Sequence, residues 1–327
     1  MHKKGQKMNY EIRQVKPNEV KAAFDLALRV FMEFEAPLYG NEGTQQFIKG
    51  CIENKQYINN YISGKHLMLG AYINESIIGL VSERGNGRIS MVFVDKVYHR
   101  KGVATSIMEK MVVALKLQGY DKITLDSSPY ALLFYRHFGF IDTGKEHKKD
   151  GFIFTPMEYT PKELWDIYDK NRVKTGKVVE RGRPMLQDEY HIVVHVWIKN
   201  SAGEYLISKR TPNKHLPNMW ECTGGSAIIG DDSLSAAIRE VHEELGVKLL
   251  PENGRIFKQY INQYRDYPQF ADVWIFDCDV PIESIVLQEG ETCDAMWASK
   301  DKINEMIDNG EFIGRSVYSY IDELFKI

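Results

Sequence analysis

The chain has few cysteines, no long apolar run and no excess of either charge. Its four cysteines, Cys51, Cys222, Cys278 and Cys293, form no C-x-x-C pair, which argues against a disulfide framework and a thiolate zinc site. Nowhere do eighteen apolar residues run together, and no apolar segment follows the basic first residues, so neither a membrane span nor an export signal is predicted. The formal net charge of -3 gives no indication of nucleic-acid binding.

What remains is the composition of a globular protein suited to the reducing cytoplasm, with 43% hydrophobic and 27% charged residues. A length of 327 residues exceeds what one hydrophobic core usually organises. Pro161 interrupts a strand-like pattern, and we therefore predict two domains, residues 1–159 and 160–327. The oligomeric state is not determined by the sequence, and a homodimer stays open.

The first half combines helical and strand-like periods. Residues 18–35 and 103–117 have apolar positions at helical spacing, and short strand-like runs bounded by Gly and Asn lie between them. A buried strand follows, and then a short helix that ends at Gly139. This order predicts an α+β domain with a mixed sheet flanked by helices.

The loop before residue 103 has features of an anion site. Gly102 and Ala104 leave room for phosphates near the backbone, the first amide N–H groups of a helix lack partners, and Arg100 and Lys101 add positive charge. A glycine at a strand–helix turn is more often plain turn chemistry, so this fragment alone leaves both interpretations open.

Together with the segment SPYALLFYRHFGF, about thirty residues further on, the loop resembles the Gcn5-related N-acetyltransferase (GNAT) family over residues 8–159. The family motif Q/R-x-x-G-x-G/A stands here as HRKGVA, with His99 in the first position. The resemblance implies an acetyl-CoA site and a small amine as acceptor. The residues that it assigns to acetyl-CoA are Phe93, Val94, Arg100, Lys101, Gly102, Val103, Ala104 and Thr105.

The same resemblance implies that Tyr135 protonates the departing CoA thiolate, which suits a phenol with a pKa near 10. The alternative is that Tyr135 only packs in an aromatic helix. No general base is identified. Three early acids, Glu33, Glu35 and Glu42, could attract a cationic amine, but ordinary surface charge is the preferred interpretation for them.

The second half opens with a polar, basic stretch, residues 171–185, and later contains a predicted helix from about Asp232 to Leu245. On that helix Glu240, Glu243 and Glu244 fall within an arc of roughly 100°. Three crowded carboxylates repel one another unless a cation lies among them, and oxygen ligands suit Mg²⁺ or Mn²⁺. A merely solvated helix face would normally include Lys.

The run around these acids resembles the Nudix box, G-x5-E-x7-R-E-U-x-E-E-x-G-U, in which U is a bulky aliphatic residue. The matching residues are Gly225, Arg239, Glu240, Val241, Glu243, Glu244, Gly246 and Val247. Asp231 stands where the family has Glu, one methylene shorter, which would weaken its contact with Arg239. The resemblance covers residues 161–327 and implies an α/β/α sandwich that hydrolyses a diphosphate with a divalent metal.

Further site residues follow from this second resemblance. The metal ligands are Glu240, Glu243 and Glu244, and the catalytic carboxylates are Glu243 and Glu291, with Glu289 as the second choice for the latter. A surface role for Glu291 is nearly as well supported. The residues assigned to the diphosphate substrate are Arg210, Trp220, Glu221, Gly225 and Arg239, although Trp220 fits the core equally well.

The flanking segments are most similar to the branch that contains isopentenyl-diphosphate isomerase. That enzyme needs a cysteine just before the box, whereas Cys222 is about two residues out of register, so hydrolysis is favoured. We therefore expect a bifunctional enzyme that acetylates an amine and hydrolyses a nucleoside-diphosphate-type compound. The alternative is that one domain is a catalytically silent sensor that regulates the other.

Overall fold

A computed structural model describes residues 9–264 and 267–327. The chain divides into two compact units, the first ending at Lys162 and the second running from Glu163 to Ile327. In the described ranges no helix is both long enough and apolar enough to cross a membrane. Each unit has its own buried core, as the length of the chain predicts.

The first unit combines two separate sheets with helices. The strands are β1 (Glu11–Gln14), β2 (Met68–Ile73), β3 (Ser76–Glu83), β4 (Ile89–Val94), β5 (Ile123–Ser127), β6 (Ile141–Asp142), β7 (His147–Lys149) and β8 (Phe152–Tyr159). Strands β1 to β4 form one antiparallel sheet in chain order, and β8 lies between β5 and β6 in the other. The helices are α1 (Val20–Phe34), α2 (Ala36–Phe47), α3 (Lys55–Ile62), α4 (Val103–Leu117) and α5 (Leu132–Phe138).

Helix α4 has the bounds predicted from its apolar period. Val103, Ile107 and Met111 recur at spacings of four, and all are fully buried against the sheets. On α1, Ala23, Leu26 and other apolar residues form a second buried face. The predicted mixed architecture of the first unit, strands flanked by helices, is confirmed.

The second unit is a sheet covered on both faces by helices, which confirms the predicted α/β/α sandwich. Its main strands are β11 (His191–Lys199), β12 (Tyr205–Arg210), β13 (Trp220–Glu221), β14 (Thr223–Ser226), β15 (Gly254–Tyr264), β16 (Tyr267–Asp277) and β17 (Thr292–Ala298). Strands β11 and β16 pair in parallel at the centre. Helix α6 (Ser233–Leu245) packs in one core cluster, and α7 (Lys300–Asp308) and α8 (Ile321–Leu324) pack in the other.

The opening of this unit differs from the sequence interpretation. Much of the polar, basic stretch forms a strand, β10 (Lys174–Glu180), which pairs in antiparallel orientation with β9 (Leu164–Tyr168). The apolar residues of this hairpin lie mainly on β9, where Leu164, Trp165 and Ile167 are buried. The alternation on β10 is therefore too weak to be recognised by its apolar period.

Candidate functional site

The two sheets of the first unit separate at one end. Strands β4 and β5 are joined by a parallel bridge between Arg88 and Thr124, near the beginning of both strands. Phe93 and Val94 lie at the far end of β4, where β3 still pairs with them on one side. The strand end assigned to acetyl-CoA therefore lies where the sheet opens.

The loop after β4 leads into the first turn of α4. Gly102 caps the helix with a φ of 82°, a left-handed conformation that favours glycine, and a Cβ there would meet open space. His99 does not point its ring nitrogen into that space, because its Nε2 donates a hydrogen bond to the Val94 carbonyl oxygen at 2.7 Å. The residue that departs from the family motif thus fastens the loop to the strand end.

Two cavities of the first unit share part of their lining. The first, of about 650 Å³, is lined by the loop and the start of α4, including Arg100, Gly102, Val103, Ala104 and Thr105. The second, of about 670 Å³, extends between α1, α2, β4 and β8. The residues that line both are Glu35, Val92, Phe93, Ala131 and Tyr135. Lys101, assigned to acetyl-CoA from the sequence, is exposed and does not line either of these two cavities.

Tyr135 and Glu35 are the acidic groups among these shared residues. Tyr135 is 7% exposed. Desolvation is the main cause that raises its pKa, and the nearby Glu35 and Tyr39 raise it further, so its hydroxyl stays protonated at neutral pH. The Glu35 carboxylate accepts a hydrogen bond from Ser128 Oγ at 3.1 Å. Desolvation raises the pKa of Glu35 to about 7, against the lowering effect of that hydrogen bond.

Surface charge is therefore the wrong interpretation for Glu35. It does describe the other two early acids, since Glu33 pairs with Lys96 at the surface and Glu42 is exposed. The three acids look alike in the sequence. Only the tertiary structure distinguishes Glu35, which ends α1 and faces the cavities, from the other two acids.

In the second unit, Arg239 organises the acidic face of α6. Its Nε donates to Asp231 at 3.0 Å, and its Nη1 donates to Glu240 at 3.0 Å and to Glu243 at 2.9 Å. Its Nη2 donates to the Ser226 carbonyl oxygen at 3.0 Å. The contact with Asp231 is made despite the shorter side chain, contrary to the weakening expected from the sequence.

Gly225 makes room for one of these carboxylates. A Cβ at Gly225 would lie 2.1 Å from Glu240 Cδ, a distance at which atoms overlap. The glycine of the box therefore leaves the space that the Glu240 carboxylate occupies, and a side chain there would displace that carboxylate, whereas the Gly225 backbone is not in the left-handed region. Desolvation raises the pKa of Glu240 to about 7, with Arg239 opposing.

Glu244 lies deeper than the other two acids, at 5% exposure. Lys214 Nζ is 3.6 Å from Glu244 Oε1 and 2.6 Å from Glu291 Oε2. Lys214, which the sequence analysis did not select, therefore places Glu291 next to the acidic helix. Desolvation raises the pKa of Glu244 to about 8, with Lys214 lowering it.

The acids of α6 do not converge on a single point. Among residues 9–264 and 267–327, no three His, Cys, Asp or Glu side chains are arranged as ready metal ligands. The donor set nevertheless fits a hard divalent cation, because it is all oxygen and Glu244 Oε2 is buried without a hydrogen-bond partner in that part of the chain. An ionised carboxylate in such a place requires a further positive charge.

The residues before the box make other contacts than those expected. Arg210 and Glu221 bind one another, with Arg210 Nη1 at 2.8 Å from both carboxylate oxygens. Trp220 is 9% exposed and packs in a core cluster, which agrees with the core alternative. Cys222 is 1% exposed in the same cluster, where desolvation raises the pKa of its thiol. A buried neutral thiol is a poor acid–base group.

Comparison with known proteins separates the two units. The profile of an acetyltransferase (GNAT) domain matches residues 35–161, and that of a NUDIX domain matches residues 189–320. An uncharacterised Nudix hydrolase of Listeria monocytogenes is 36% identical over 167 residues, which are 50% of this chain and 95% of that relative.

Solved structures of both kinds are also similar. A GCN5-related N-acetyltransferase from Rhodopseudomonas palustris is 18% identical with a TM-score of 0.42, over 47% of this chain and 98% of its own. A MutT protein from Methanosarcina mazei is 24% identical with a TM-score of 0.36, over 43% of this chain and 96% of its own.

Proposed function

The chain belongs to the Nudix hydrolase family through its second unit and has a GNAT domain in its first, and from that membership we propose that it catalyses two reactions. The first is transfer of an acetyl group from acetyl-CoA to a small amine. The second is metal-dependent hydrolysis of the diphosphate bond of a nucleoside-diphosphate-type compound.

The observation that carries the first reaction is the pair of cavities that meet at Tyr135. The N-terminus of α4 and Arg100 bind the diphosphate of CoA, because free amide groups and a cation both attract phosphate. Phe93 and Val94 offer backbone groups to the pantetheine where the sheet opens. Tyr135 donates its proton to the thiolate as the C–S bond breaks.

The observation that carries the second reaction is the buried oxygen of Glu244 that has no hydrogen-bond partner among the described residues, on the same helix as the Arg239 network. Glu240, Glu243 and Glu244 would hold the Mg²⁺ or Mn²⁺. When bound, such an ion polarises a diphosphate and lowers the pKa of a bound water. Glu243 and Glu291, both about half exposed, would accept the proton of the attacking water.

The hydrolase is tested with the full chain, a panel of nucleoside diphosphate compounds and Mg²⁺, by measuring phosphate release. The double variant Glu243→Gln, Glu244→Gln is expected to lose activity by a factor on the order of 10²–10⁴. Glu252→Gln, an exposed acid of the same unit, is the control. Equal activity in the double variant would remove the acidic helix from the mechanism.

The acetyltransferase is tested by calorimetry with acetyl-CoA and by turnover with an amine panel. Tyr135→Phe should retain acetyl-CoA binding and reduce kcat by a factor on the order of 10². Tight binding of acetyl-CoA without turnover of any amine would favour the silent-sensor alternative for this unit.

A further inference from the structure

The second cavity of the first unit, which would take the acceptor, has a carboxylate at one end and aromatic rings along its wall. Of the five residues that line both cavities, Glu35 and Tyr135 are the ones with an acidic group. If Tyr135 acts on the thiolate, then Glu35 is the group left for the incoming nucleophile. The following inference rests on the proposed acetyltransferase function and concerns the chemical class of its acceptor.

Glu35 is held in place from two sides. It ends α1, where its backbone N–H donates to the Phe31 carbonyl oxygen at 2.9 Å. Its carboxylate accepts from Ser128 Oγ, and that same Oγ accepts from the Ala131 backbone N–H at 3.3 Å. No Lys, Arg or His forms an ion pair with Glu35 in the described ranges. An ionised Glu35 therefore has room for a cation supplied by a ligand.

An aromatic wall begins directly beside this carboxylate. Phe31 and Phe47 stack with ring centroids 3.9 Å apart, and Phe31 also stacks on Tyr39 at 5.9 Å. Phe152 meets Tyr39 edge-on at 5.1 Å, and all four rings line the second cavity. Ring faces and edges of this kind favour a flat apolar ligand and also attract a cation that lies over them.

We propose that the acceptor is a primary amine on a flat aromatic body, with its nitrogen bound by Glu35 and its ring against Tyr39 and Phe152, the two partly exposed rings of the wall. The bound ammonium first loses a proton to solvent, and the neutral amine then attacks the thioester carbonyl carbon, so that a C–N bond forms and the C–S bond breaks. The nitrogen loses one proton to the Glu35 carboxylate, and the sulfur gains one from Tyr135. The products are an N-acetyl amine and CoA, and solvent returns the proton from Glu35 to Tyr135.

The pH dependence of kcat/KM follows from the protonation of Glu35 and from the groups that face it. They are Ser128, Tyr39 and Tyr135, together with Tyr130, whose pKa is also raised by desolvation and by Glu35. Because desolvation raises the pKa of Glu35 to about 7, the carboxyl is protonated below that pH and neither attracts a cation nor accepts a proton. The value of kcat/KM should therefore rise with pH through about 7.

The experiment uses the full chain with acetyl-CoA and compares phenethylamine and tryptamine with spermidine, an aliphatic polyamine. We expect a higher kcat/KM for the aromatic amines. Glu35→Gln should lower kcat/KM by a factor on the order of 10² and abolish the rise near pH 7. Glu42→Gln, an exposed acid on the neighbouring helix, is the matched control and should keep both.

Two results overturn this inference alone: full activity with the same pH profile in Glu35→Gln, or a preference for spermidine. Circular dichroism and acetyl-CoA calorimetry on Glu35→Gln show whether a lower activity reflects unfolding or loss of the first cavity; in either case the comparison of the aromatic amines with spermidine on the wild-type chain decides the inference. Acetyl-CoA bound by the wild-type chain without turnover of any amine overturns the acetyltransferase function itself.

Discussion

The loop of the first unit and the acidic helix of the second both face a diphosphate in the proposed reactions, but they are prepared for it differently. Before α4 the backbone amides, Gly102 and Arg100 line an open cavity of about 650 Å³. On α6 the acids are already engaged, by Arg239 at the outer positions and by Lys214 near Glu244. The first site offers an open cavity to its ligand, whereas the second holds carboxylates whose charge is already balanced by cationic side chains.

The difference follows from the charge that each site must balance. A helix N-terminus carries a partial positive charge and needs no counter-ion before an anion arrives. Three carboxylates on two turns repel one another, so the fold must supply cations to keep them together. The contacts of these acids with Arg239 and Lys214 therefore describe the metal-free site, and metal binding would replace some of them with contacts to the ion.

Among the substitutions that probe this comparison, the largest expected effect is that of Gly225→Ala. The added methyl would overlap the Glu240 carboxyl, and displacement of a catalytic group by about 1 Å can cost on the order of 10² in rate. We expect that loss in kcat/KM for diphosphate hydrolysis, measured by phosphate release. Unchanged kinetics would show that Glu240 does not need its present position.

Gly102→Ala tests the other half of the comparison and should act through the backbone. A Cβ meets no atom there, but an L-residue at a φ of 82° costs about 1–2 kcal/mol. Acetyl-CoA affinity should fall by roughly tenfold, as measured by calorimetry. A steric cause would be indicated instead if Gly102→Ala bound normally and only bulkier residues weakened binding.

Lys214→Met removes a cation from the acidic site. Two unit charges about 4 Å apart interact by about 1 kcal/mol in water, so loss of the lysine should tighten Mn²⁺ binding by about fivefold. The metal-free protein should at the same time melt at a lower temperature. Calorimetry with Mn²⁺ and thermal unfolding in a chelator measure the two effects, with the exposed Lys248→Met as control. Weaker Mn²⁺ binding would contradict the assignment.

Asp231→Glu should have the smallest effect. The residue found in the family is longer, but Asp231 already reaches Arg239 Nε at 3.0 Å. Hydrolysis should change by less than about twofold, and the melting temperature by little, because a similar ion pair replaces the present one. A large gain in activity would mean that the Arg239 network is incomplete in this chain.

Elements with a strong apolar period were predicted closely. Helix α4 has the bounds expected, and α6 begins one residue after Asp232, which caps it by accepting from the Ser235 amide at 2.7 Å. Strand β10 was missed because its residues alternate only weakly. Lys214 was not selected, and Glu35 was not distinguished from Glu33 and Glu42, because the partners of Lys214 and Glu35 lie far away in sequence and no local pattern separates these residues from surface charges.

The sequence by itself determined two cores, the positions of α4 and α6, and the spacing that gathers the acids on one helix face, since periodicity and turn chemistry act over a few residues. Only the tertiary structure decided which charged groups are desolvated and which charges meet. Burial, and with it the pKa of Glu35 and Glu244, depends on residues brought together from distant segments, such as Ser128 and Lys214.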